Sequence, residues 1–179
     1  MNTFSQFKGI AEILKIALFL VIGVIEIPLV IGLYNQNTPG EIFGLVASIF
    51  ILQPLAVVVG LGLGIHPFQI LLIMCSFGVS VIFVLFGICD LFAERSEWLH
   101  KHLKKIEAIT QKSKMFRKYG IYTFIPFIWV PGVGLYGCVM IAWLFKWRSA
   151  RAGAIILAGW ILAALLVLLT SIGIFSIIQ

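Results

Sequence analysis

Few residues in this chain are of a type that could do chemistry. Glu26 lies in an apolar stretch, residues 16–34, and Pro28 follows it two positions later. A carboxylate in hydrocarbon is costly, so Glu26 is expected to be protonated, paired or facing a wet cavity. Its nearest upstream cation is Lys15, about 16 Å away along a straight helix, which excludes a local pair. Apolar surroundings favour the neutral carboxyl, and a group that can gain and lose a proton there suits a proton-coupled carrier. The alternative is a structural glutamate bonded to backbone carbonyls that Pro28 leaves free. Glu41 stands three residues after Thr38, with Pro39 between them, which suits a capping box before any transport role. A second group lies in residues 125–137, IPFIWVPGVGLYG, where Pro126, Pro131, Gly132, Gly134 and Gly137 should open the helical ladder. Open backbone survives in hydrocarbon only when buried in protein or lining a wet cavity, so this stretch is expected to shape a cavity wall. Close helix packing is the plainer use of such small residues.

Other chemistries find no support. His66, His100 and His102 do not have the spacing of a metal site, and Cys75, Cys89 and Cys138 sit singly in apolar segments as small hydrophobes. No metal and no cofactor are expected. The sequence contains no HExxH or GxSxG and no paired aspartates within apolar segments, so an enzyme is not expected either.

The elements that must position Glu26 and the glycines are membrane helices. Of 179 residues 61% are hydrophobic and 11% charged, and the mean hydropathy is +1.12, which places the chain in a membrane rather than among soluble domains. The net charge of +6 could suggest nucleic acid. However, eight of the thirteen Lys and Arg fall between Arg95 and Lys118, flanked by apolar runs, so a cytoplasmic membrane-face segment explains them better. The expected organisation is one integral membrane domain over 1–179. Residues 1–41 form an amphipathic start and a first interrupted segment, 42–93 form two spans with a kink at Gln53–Pro54, and 94–118 form a basic amphipathic surface helix. Residues 119–147 are the second interrupted segment and 152–178 the last span. Trp98, Tyr119, Trp143 and Trp147 are expected at the interfaces, and Asp90 near a helix end reaching water.

Charge parity bears on the interrupted segments. If Lys118 and the cluster Lys146, Arg148 and Arg151 share the cytoplasmic side, residues 119–147 must enter and leave by one face. Likewise, with two crossings in 42–93, Lys8 and Lys15 share that side only if residues 16–34 do not cross. Both interrupted segments are then re-entrant. A faint internal repeat points the same way: Gly23, Ile27, Pro28, Pro39 and Gly40 echo Gly120, Ile125, Pro126, Pro131 and Gly132.

Residues 118–145, with Pro131, Gly132, Gly134 and Gly137 at their centre, resemble the putative small multidrug export family of prokaryotic membrane proteins. That family is similar in turn to the DedA, or VTT-domain, superfamily, whose first block carries a membrane glutamate ahead of a PGE turn, as Glu26, Pro39, Gly40 and Glu41 do here. The resemblance implies two re-entrant hairpins packed tip to tip, entering from opposite faces, and proton-coupled transport or scrambling of a lipid or other amphipathic substrate. Thr123 and Trp129 stand about where the superfamily has arginines, so a cationic grip on a phosphorylated headgroup is not expected.

The expected fold is thus all-α and polytopic, with two re-entrant hairpins and about three full spans. Its expected site is Glu26, Pro28, Glu41, Pro126, Pro131, Gly132, Gly134 and Gly137. Membrane lipids, protons and an amphipathic substrate are the expected partners, in a multi-pass cell-membrane protein whose loop 94–118 is cytoplasmic; a homo-oligomer would let so small a chain enclose a path. The competing reading is a non-transporting interaction module that works through the basic helix 94–118.

Overall fold

The computed structural model describes residues 3–95, 134–145 and 150–178, with side chains for 11–91, 134–145 and 150–173. Residues 96–118 of the surface helix expected over 94–118, and Pro126, Pro131 and Gly132, lie outside the described residues; Glu94 and Arg95 end the long helix that starts at Pro67. Among the described residues there are seven α-helices: α1 (Thr3–Val21), α2 (Ile27–Tyr34), α3 (Pro39–Leu52), α4 (Ala56–Gly62), α5 (Pro67–Arg95), α6 (Gly134–Leu144) and α7 (Ala150–Ile178). There is no strand among the described residues. Four helical stretches among the described residues are long and apolar enough to cross a membrane: Ala11–Tyr34, Pro39–Gly62, Pro67–Leu91 and Ala150–Gly173.

The first stretch does not reverse at Glu26–Pro28, as a re-entrant reading of residues 16–34 requires. A π-helical turn, Ile22–Glu26, joins α1 to α2 with helical backbone angles on both sides, and the Ile27 N–H reaches back to the Ile22 carbonyl. In that five-residue register the next donor would be residue 28, bonding the carbonyl of residue 23. Pro28 has no N–H, and the Ser76 hydroxyl of α5 donates to the Gly23 carbonyl instead, at 2.8 Å. Gly23 makes this approach feasible, since a Cβ there would collide with the Ser80 side chain.

The reversal falls at the second proline. Gln53–Leu55 is a single 3₁₀ turn, entered through Gln53 at φ 53°, ψ −123°. Beyond it α4 runs back along α3: the Cβ position of Gly60 is 3.1 Å from Leu45, and that of Gly44 is 3.5 Å from Leu63. On a straight helix residues 45 and 60 would be about 22 Å apart. Pro39–Gly62 is therefore two antiparallel arms, not the single kinked span expected over 42–64. The physical reason is local. Pro54 drives the residue before it out of the α region, and Gln53 goes to a positive φ rather than into a widened helical turn.

Both ends of this hairpin consequently lie at one end of the bundle. There α2 and α4 each stop in a Schellman motif: Gln36 (φ 63°) and Asn37 donate to Leu33 and Gly32, while Gly64 (φ 77°) and Ile65 donate to Leu61 and Gly60. Each following helix then starts from a box with proline at its first position. Thr38 and Glu41 exchange side-chain and backbone bonds, and the His66 N–H donates to Gln69 while His66 Nδ1 accepts from the Phe68 N–H.

Helix α5 is the spine. Ile16 of α1 packs on Gly87, and Leu157 and Trp160 of α7 pack on Gly78, so α1–α2 and α7 both run antiparallel to it. Leu45, Ile49, Ile70, Ile73, Met74, Phe77, Cys138 and Trp160 are fully buried around it. Phe77 sits in the middle, edge-on to Phe50 (4.7 Å between centroids) and stacked with Trp160 (6.3 Å).

Candidate functional site

The turn Gln53–Leu55 points into the bundle and meets the start of α6. Gly134 opens that helix at φ 38°, a left-handed angle suited to glycine, and a Cβ at this position would collide with the Gln53 amide. Leu135 is the next residue. Its N–H is one of the donors that no preceding turn of the helix can satisfy, and it donates to Gln53 Oε1 at 3.2 Å. One residue on, the Tyr136 hydroxyl donates to the Phe50 carbonyl at 3.2 Å. That carbonyl is the one that an N–H at position 54 would bond in an α-helix. Two hydrogen bonds thus join breaks more than eighty residues apart in sequence, and each satisfies a backbone group that the breaks leave exposed.

Among the expected site residues, Gly134 stands at this junction and Gly137 follows on α6, half-buried. Pro126, Pro131 and Gly132 belong to the same motif and lie outside the described residues. Glu41 is held in the Thr38 capping box at the end of the bundle, away from the junction. Pro28 is buried beside the π turn.

Glu26 is not brought to the junction. It follows Gly23, the neighbour of Ser76 and Ser80, by three residues, which places it within about one helical turn of the level of Phe77. Its side chain is exposed on the outer face, among exposed Ile22, Ile25, Ile27 and Val30. Among the described residues it has no hydrogen-bond or ion-pair partner. The carbonyl that Pro28 frees is bonded by Ser76, so a structural glutamate bonded to it is not what forms.

Sequence reasoning missed Gln53, Ser76 and Tyr136. The signal was available: Gln53 precedes a proline as the lone amide of its apolar stretch, and Ser76 and Ser80 are four apart, on one face of α5. Asp90 is bonded to Trp143 Nε1 at 3.1 Å, tying the far end of α6 to α5 rather than leaving both side chains to the interface. Among the described residues no cluster of His, Cys, Asp or Glu could hold a metal ion.

Chemically, the junction offers neutral donors and acceptors that are shared between two separate breaks. A ligand or water with equivalent hydrogen-bonding capacity could replace either bond, so this arrangement suits opening and closing more than bond-making.

Residues 54–166 match the family model described as putative small multi-drug export protein. No match was found among curated proteins or among solved structures. The matched range begins at Pro54, one residue past the amide of the junction, and includes Gly134, Leu135 and Tyr136.

Proposed function

The chain belongs to the putative small multi-drug export protein family, and on that premise we propose that it carries an amphipathic small molecule or lipid across the membrane by opening the junction between Gln53 and Leu135. It is a multi-pass membrane protein. The observation that carries the proposal is the pair of hydrogen bonds joining two helix breaks, one part-buried and one exposed. Broken helices that meet near mid-depth are how several transporter folds expose backbone polar groups to a substrate.

In this reading Pro39–Gly62 is a re-entrant hairpin from one face. The segment 119–147, whose described arm is α6, is the re-entrant hairpin from the other. Support comes from direction: α6 runs from the Gln53 junction toward Asp90, near the end of α5 where Arg95 begins the basic segment. That basic end is cytoplasmic by the distribution of Lys and Arg. The amphipathic start, with Lys15 beside the Ile16–Gly87 contact, lies at the same end.

Glu26 is the proton site of the proposal. An ionised carboxylate facing hydrocarbon is costly, so any movement that takes its face between lipid and water is coupled to loss or gain of a proton. A cationic or donor-bearing substrate, or a second copy of the chain, would meet it from the outer face.

The test is flux of a fluorescent amphipathic cation in proteoliposomes under an imposed pH gradient. Glu26→Gln is expected to abolish the gradient-dependent component while leaving helix content unchanged. Flux that keeps its full pH dependence in this variant removes Glu26 from the mechanism, and absence of flux in the parent protein removes the transport reading.

A further inference from the structure

The reversal at Gln53 creates a second feature, remote from the junction. By folding Pro39–Gly62 back on itself it brings the turn after α2 and the turn before α5 side by side, and between them lies an open cavity of about 740 Å³. Its polar lining includes Asn37, His66 and Gln69, and its apolar wall, with Val30, Phe68 and Leu72, is exposed on the outer face. Among the described residues no Asp, Glu, Lys or Arg lines it.

The polar groups are held by backbone geometry, and part of their bonding capacity is spare. Asn37 follows the left-handed Gln36 in the Schellman motif, with its own N–H fixed on the Gly32 carbonyl at 3.0 Å. Its side-chain oxygen is buried and has no hydrogen-bond partner. A buried acceptor without a donor costs on the order of 1–3 kcal/mol, so it marks a place where a donor is wanted. Across the cavity Gln69 spends Oε1 on the His66 N–H, which leaves its NH₂ group to donate. His66 accepts the Phe68 N–H at Nδ1, so in the neutral ring the proton is on Nε2, a further donor. The rim therefore offers a buried, unsatisfied acceptor at Asn37 and donors at Gln69 and His66, with Tyr34 and Asn35 also in the lining. Val30 and Leu72 extend the apolar wall along α2 and α5.

A hydroxyl both donates and accepts, and it matches such a rim without bringing a charge that nothing in the lining would balance. We infer that this cavity binds the uncharged, hydroxyl-bearing head of an amphiphile, with Asn37 accepting from a hydroxyl and the alkyl chain lying along Val30 and Leu72. The inference does not depend on transport, and binding is measured without a gradient.

The experiment is photo-crosslinking of the intact protein in nanodiscs with a monoacylglycerol bearing a diazirine near its head, followed by peptide mapping. Labelling is expected within residues 30–37 and 64–72 and is competed by unlabelled monoacylglycerol. Asn37→Leu, which removes the acceptor, is expected to weaken competition about tenfold. Leu72→Trp, which fills the cavity along its apolar wall and leaves the rim intact, is expected to do the same. Far-UV circular dichroism confirms that both variants are folded; a variant that fails this check is replaced by Asn37→Ser or Leu72→Phe. Labelling spread evenly over the lipid-facing helices and unmoved by either substitution overturns the site. Equal competition by an alkyl phosphate or an alkyltrimethylammonium overturns the assignment of an uncharged hydroxylated head.

Discussion

Among the described residues two prolines, Pro28 and Pro54, interrupt apolar helical stretches, and the two interruptions end in opposite ways. At Pro28 the helix widens into a π turn and continues, because Ser76 of α5 supplies a donor to the Gly23 carbonyl and Gly23 lets α5 come close enough to do so. At Pro54 the helix stops and the chain turns back. The Phe50 carbonyl is likewise met by a hydroxyl, from Tyr136, but Gln53 has left helical geometry and its amide bonds the first turn of α6. Both breaks are repaired by side chains from other helices, as an apolar surrounding demands. The difference lies in what approaches the break. A spine helix presenting a serine beside a glycine seals the first break into the bundle wall, whereas a second broken segment opening at Gly134 makes the other break one half of an interface.

That contrast yields expected outcomes, each read as unfolding in detergent micelles followed by circular dichroism. The largest belongs to Gly134→Val, which puts a β-branched side chain at φ 38° and against the Gln53 amide; a loss of about 3 kcal/mol is expected. A loss below about 0.5 kcal/mol would mean that the two breaks do not depend on each other. Next is Gln53. Replacement by Leu orphans the Leu135 N–H and keeps the strained backbone, for about 2 kcal/mol, whereas Gln53→Gly loses the same bond but relieves the positive φ and should cost about half as much. Equal costs would show that backbone strain plays no part in the reversal. Ser76→Ala should cost about 1 kcal/mol. In a Pro28→Ala background, where an N–H is restored, the same change should cost close to nothing, and a full cost there would refute the idea that Ser76 stands in for the missing donor. The smallest effect, about 0.5 kcal/mol, is expected for Tyr136→Phe, whose hydroxyl bond is exposed.

Much of the architecture was legible in the residues. The apolar runs identify the helices, the capping box at Thr38–Glu41 is readable from side-chain chemistry alone, and the second break was placed around Gly134 from its glycines and prolines. The site was legible in part. Gly134 was named for its backbone freedom, but its partner at Gln53 was read as an ordinary kink, because a Gln–Pro pair looks alike in a bent helix and in a hairpin tip. Glu26 was singled out as an unusual carboxylate, but which way it faces was not readable: the hydrophobic pattern around it is apolar all round and so gives no facing direction.

The parity of the charges shows where the boundary lies. If Lys8, Lys15 and the basic segment from Arg95 belong at one end, the sequence alone requires one of the first three apolar stretches to fold back. The reading of the residues gave that role to 16–34, although a fold at Gln53–Pro54 satisfies the same count. In the tertiary structure the chain continues at Pro28 and reverses at Gln53, with a short contact beside each, Ser76 to Gly23 and Leu135 to Gln53. A proline removes a donor wherever it stands, and the group that arrives to replace that donor determines whether the chain goes on or turns around.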